Sequence, residues 1–96
     1  MALQINGAQA LVRLLLAEQV REVFGIVGGK LGPLLHAISH QEQLRFLGVR
    51  HEGAAPMMAA GVHAASGRIA GALGEMGPGG LNLASGLGVA FNNNLP

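Results

Sequence analysis

Three short apolar runs, each followed by a turn and then a segment of helical character, constrain the fold of this chain more than any other feature. The runs are Val23 to Val27, Leu44 to Val49 and Ile69 to Leu73. A continuous apolar run between helices fits a strand buried on both faces, as in a parallel sheet. Before the first run, Asn6 is placed to N-cap a helix through Gln19,. After it, Gly28-Gly29-Lys30-Leu31-Gly32-Pro33 reads as a loop whose Pro33 can open the next helix, Leu34 to about Ser39,. The second run leads into a helix from about Glu52 to Ser66, with Pro56 tolerated near its first turn and Gly67 suited to end it,. After the third, Gly77-Pro78-Gly79-Gly80 is read as a turn into a last helix, Leu81 to Phe91,.

A helix, then strand and helix three times over, predicts an α/β fold: an open parallel sheet with right-handed crossovers and helices on both faces. In such sheets ligands collect beyond the carboxyl ends of the strands. Those ends carry Gly28-Gly29, Arg50-His51-Glu52 and Gly74 to Gly80. Three loops are therefore expected to converge on one edge.

Composition narrows the function classes. Half of the 96 residues are hydrophobic and 11% are charged, so parts of the surface are expected to be covered by a partner subunit or by further chain. The closing Asn92-Asn93-Asn94-Leu95-Pro96 reads as a loop leading onward, and the chain as a fragment of one domain,. A net charge of +1, scattered basic residues and the lack of Trp and Tyr make no nucleic-acid footprint,. Without cysteine there is no disulfide or thiolate metal site, and a cytoplasmic location is unopposed,. The longest apolar run, Ala54 to Val62, contains Pro56 and Gly61 and is too short to span a membrane,.

Glu52 is the sole acid between Glu42 and Glu75, and Ala54, Ala55, Met57, Met58 and Ala59 follow it. A carboxyl group at such a turn, with little water around it, is expected to have a raised pKa and to suit proton transfer. A glutamate in a first helical turn is also favoured by the helix dipole alone. The composition leaves both readings open.

Familiar motifs fail. A phosphate loop ending at Gly29-Lys30 would need a glycine where Phe24 stands and a Ser or Thr where Leu31 stands,. The dinucleotide fingerprint would need glycine at Asn82,. His36 and His40 share a helical spacing but lack a companion carboxylate, and no metal ligand set is assigned,. His63 reads as a packed or interface residue, and Ser39, Ser66 and Ser85 lack a nucleophile elbow,. A non-catalytic nucleotide-binding or partner-binding module is the competing class.

Together, Phe24-Gly25-Ile26-Val27-Gly28-Gly29, Val49-Arg50-His51-Glu52, and Gly77-Pro78-Gly79 with Asn82 resemble the N-terminal pyrimidine-binding domain of thiamine-diphosphate enzymes. The similarity is to the acetolactate synthase and 2-oxo-acid decarboxylase superfamily and runs through all 96 residues. The resemblance implies a truncated thiamine-diphosphate-binding fold, with the rest of that domain and a diphosphate-binding domain outside this segment. It implies that Glu52 is catalytic, sharing a proton with the cofactor's aminopyrimidine ring. It places Gly28, Gly29, Gly77, Pro78, Gly79 and Asn82 with Glu52 at the cofactor, and Gly29, Glu75 and Met76 toward substrate. Implied with these are Mg bound elsewhere, a 2-oxo acid substrate whose C–C bond next to the carbonyl is cleaved or formed, and a homodimer or homotetramer with the cofactor between subunits. The segment alone is expected to be inactive.

The sequence departs from that pattern in places. Val27 replaces a usual proline, and Glu75-Met76 replace a Thr-Ser pair. Glu75 adds a second acid near the expected substrate, where it either joins proton transfer, repels an anionic acceptor or is simply solvated. No Asp occurs anywhere, so the family's Gly-Asp-Gly metal motif is not in this segment.

Overall fold

The computed structural model describes residues 4–96. Its helices are α1 (Gly7–Ala17), α2 (Gly32–Ser39), α3 (Ala54–Ser66) and α4 (Met76–Asn92). Its strands are β1 (Glu22–Gly25), β2 (Arg45–Gly48) and β3 (Gly71–Leu73), and a single 3₁₀ turn, Gly29–Leu31, precedes α2. The sheet order is β2-β1-β3, and both pairings are parallel. Val23 lies opposite Phe46 on one side and Gly71 on the other.

The central strand is buried along its whole length, as its apolar run predicts. Alternation along it divides the core in two. Val23 packs with Val12 of α1 and Ala37 and Ile38 of α2, whereas Phe24 packs with Ala55 and Ala59 of α3. Leu83 of α4 joins the second cluster. Phe24 is only 6% exposed, and burying a side chain of its size stabilises the fold by about 1.5–3 kcal/mol.

The helix ends follow local chemistry. The Asn6 side chain accepts from the Gln9 N–H at 2.8 Å while the Gln9 side chain accepts from the Asn6 N–H at 2.9 Å, closing a capping box,. Gly67 ends α3 in the left-handed region at φ 77°, where a Cβ would cost energy. Pro56 is the third residue of α3 and removes no helical hydrogen bond,.

Several boundaries differ from the sequence reading. Glu52 stands in the turn ahead of α3, which starts at Ala54. Ile26 and Val27 lie beyond β1, and β3 is limited to Gly71–Leu73. The largest shift is at α4, which starts at Met76, so that Gly77, Pro78, Gly79 and Gly80 are helical and not a turn. Pro78 falls in the first turn, where a missing N–H costs nothing. The Gly79 N–H donates to the Glu75 carbonyl at 3.1 Å and opens the helical ladder.

At the amino end of the sheet, Glu22 is 8% exposed. Arg68 grips it with two N–H donors, at 3.0 and 3.2 Å, and Arg45 stands 3.9 Å away. A buried carboxylate needs such partners. Among the described residues no helix is long and apolar enough to cross a membrane.

Candidate functional site

At the carboxyl edge of the sheet, each strand hands the chain to a short loop. The turn after β2 is tied by two backbone bonds, Ala54 N–H to the His51 carbonyl and Ala55 N–H to the Glu52 carbonyl, both 3.0 Å. The Gly53 N–H donates to His51 Nδ1 at 2.9 Å. These bonds fix the backbone that carries Glu52.

The Glu52 carboxylate faces α4. Asn82 Nδ2 donates to Glu52 Oε1 at 3.1 Å. A Cβ on Gly79 would stand 3.1 Å from Glu52 Oε2, so the glycine leaves that oxygen room. No side chain among the described residues donates to Oε2. Close helix packing holds the pair together. A Cβ on Gly86 would reach within 2.5 Å of the Gly53 carbonyl oxygen, and one on Gly53 within 2.8 Å of Ser85 Oγ.

The expectation of a raised Glu52 pKa is overturned. The Asn82 amide, and after it Glu52's own backbone N–H, hold the carboxyl below the usual carboxylate range. Burial pulls upward and loses, because Glu52 is only partly buried; nearby His51 adds a further downward pull. Hydrogen bonds to the charged form outweigh desolvation here.

The other two loops meet beside this one. Gly28 is extended, at φ −156° and ψ 159°, so any residue fits its backbone. A Cβ there would fall on the Glu75 carboxylate, which would have to swing aside to make room. Glu75 Oε2 accepts from the Lys30 N–H at 3.1 Å. Gly74 lies so near α4 that a Cβ would approach the Gly79 carbonyl oxygen to 2.5 Å. Gly29, Met76, Gly77 and Pro78 are exposed along this edge.

The structure thus brings Glu52, Gly79 and Asn82 together, and separately Gly28, Lys30 and Glu75. The histidines do not join either group. His36 in α2 and His40 just after it lie with ring centroids 4.4 Å apart and planes tilted by 51°, and among the described residues no three His, Cys, Asp or Glu side chains gather as a metal site. A cleft of about 430 Å³ between α1 and α2 shares no residue with the three loops.

Residues 5–96 match the family described as thiamine pyrophosphate enzyme, N-terminal TPP binding domain. The chain belongs to this family of thiamine pyrophosphate enzymes. It is 39% identical over 92 residues to a probable acetolactate synthase large subunit from Methanococcus aeolicus, covering 96% of this chain and 15% of that one. Against the acetolactate synthase isozyme 2 large subunit of Escherichia coli K12 the identity is 37% over 92 residues, covering 96% and 17%. The catabolic acetolactate synthase of Raoultella terrigena is 37% identical over 91 residues, covering 95% and 16%. The chain therefore spans about one-sixth of the length of these relatives.

Within this thiamine pyrophosphate enzyme domain, two contacts escaped the sequence reading. One is the direct bond from Asn82 to Glu52, with Gly86 on the same face of α4 at helical spacing,. The other is the reach of Glu75 to Lys30, 45 residues away in sequence, for which no local signal exists.

The site suits one part of the cofactor and not another. A fixed carboxylate with one open oxygen, beside a helix stripped of side chain at Gly79, fits a flat nitrogen heterocycle. No described cluster fits the divalent metal, so no step is assigned to a metal here.

Proposed function

We propose that this chain is the pyrimidine-binding segment of a thiamine-diphosphate- and Mg-dependent enzyme that cleaves or forms a C–C bond beside the carbonyl of a 2-oxo acid. The rest of that domain and the diphosphate-binding domain lie in the remainder of the protein, which acts in the cytoplasm as a homo-oligomer. The observation that carries the reading is the Glu52 carboxylate, oriented by Asn82 and left open on Oε2, in a chain that matches the thiamine pyrophosphate family over residues 5–96. The named activities of the acetolactate synthase relatives support the substrate class.

In this reading Glu52 Oε2 holds a proton at the pyrimidine ring nitrogen of the cofactor. Asn82 keeps the carboxylate turned toward the ring, and Gly79 leaves the ring space to approach. Gly28, Gly29, Gly77 and Pro78 line the edge on which the cofactor rests, with Glu75 and Met76 toward substrate. Bound thiamine diphosphate supplies a nucleophilic carbon and an electron sink, which the protein's own side chains lack.

The depressed pKa of Glu52 gives this reading a direct test. Glu52 is ionised at neutral pH, so sharing a proton with the ring requires that one be taken up. The full-length protein is titrated with thiamine diphosphate and Mg by calorimetry in two buffers of unlike ionisation enthalpy. The expected result is saturable, metal-dependent binding with uptake of about one proton. A folded full-length protein that binds no cofactor would overturn the reading.

A further inference from the structure

We propose that Glu75 is a positioning residue that bolts the loop after β1 to the start of α4 and so sets the shape of the substrate side of the site. The proposal rests on the functional reading above for what the site binds, and on three local observations for the bolt itself. Glu75 Oε2 accepts the Lys30 N–H at 3.1 Å. Gly28 has an unremarkable extended backbone, yet a Cβ on it would fall on the Glu75 carboxylate. Met76, next in the chain, sits at φ 60°, in the left-handed region, while 64% exposed.

Each observation accounts for a different part of the device. The hydrogen bond joins residues 45 apart in sequence, on two different loops. The glycine gives the carboxylate its approach. A long side chain in the left-handed region is disfavoured. Glu75 itself is extended, at φ −114° and ψ 142°, as the residue just ahead of α4.

Acceptance, not charge, is the working property. Glu75→Gln keeps an acceptor oxygen of the same reach, whereas Glu75→Ala removes it. In the full-length protein Glu75→Ala should raise KM for the 2-oxo acid roughly tenfold, the upper scale of one hydrogen bond, with a smaller effect on kcat. Glu75→Gln should bring KM back to within about threefold of the unsubstituted protein. Gly28→Ala, which leaves the acid in place but blocks its approach, should reproduce the KM rise.

Hydrogen exchange in the peptide spanning residues 28–31 reads the bolt without any cofactor. Glu75→Ala and Gly28→Ala should each speed it about tenfold, and Glu75→Gln should not. Equal damage from Gln and Ala at position 75 would overturn the proposal in favour of a charge-based role. So would exchange and KM unmoved by Ala. A protein that fails to bind thiamine diphosphate but shows this exchange pattern sinks the functional reading and leaves the bolt standing.

Discussion

Asn82 Nδ2 donates to Glu52 Oε1 across 3.1 Å, and this bond ties the first turns of α4 to the turn after β2. It is also the leading cause of the carboxyl's depressed pKa. Asn82→Ala should therefore move the Glu52 midpoint up, toward the ordinary value of 4.5. A carbon NMR titration of the side-chain carboxyl reads this directly. The sign for stability follows: a depressed folded pKa stabilises above the unfolded pKa, and that contribution is lost as pH falls through the folded value. Asn82→Ala should flatten this acid limb. A midpoint that does not move would show that the amide is not what holds the carboxylate.

Glu52→Gln keeps the shape of the side chain but not its ability to shuttle a proton. In the full-length protein the turnover number should fall by about 10² to 10⁴, the usual contribution of a positioned general acid or base. The unfolding midpoint should change little, since Glu52 is only partly buried. Near-normal turnover would remove Glu52 from the chemistry and favour a binding module on the same scaffold.

How much of this was legible in the sequence depends on the range of the interaction. Alternating apolar runs and caps are local, so the element order, the parallel sheet and the end of α3 at Gly67 could all be read. The start of α4 was misread because Gly77, Pro78 and Gly79 look like turn residues when taken alone. In the folded chain they open α4, with Gly79 packed beside Gly74 and Glu52, a tertiary setting with no local signal. The Glu52 pKa was misjudged for a similar reason. Apolar neighbours in sequence suggested desolvation, whereas the deciding partner, Asn82, lies 30 residues on.

The Glu22–Arg68 pair was not foreseen either, and it makes its own prediction. Glu22 starts β1 and is buried, while the Arg68 side chain is 36% exposed. Arg68→Ala leaves the carboxylate with only Arg45 at 3.9 Å. Removing one partner of a buried pair costs several kcal/mol, and partial exposure of Arg68 reduces this to about 2 kcal/mol. Urea denaturation should show the loss, and adding Glu22→Met should recover part of it. A destabilisation that the second change deepens would mean that Arg68 acts through packing and not through charge.

Gly86 couples stability to the site. It lies one helical turn beyond Asn82, and a Cβ there would come within 2.5 Å of the Gly53 carbonyl oxygen and 2.8 Å of Pro56 Cβ. Backbone and a proline ring cannot swing aside as a flexible side chain would. Gly86→Ala must therefore push α4 away from α3, at a cost of about 1–3 kcal/mol for overpacking. Because Asn82 rides on the same face of α4, the shift should also lengthen its bond to Glu52. Denaturation and the carboxyl titration should then respond together, with lower stability and a higher Glu52 midpoint. A variant that loses stability with the midpoint unmoved would show that the carboxylate is held independently of the α3–α4 contact.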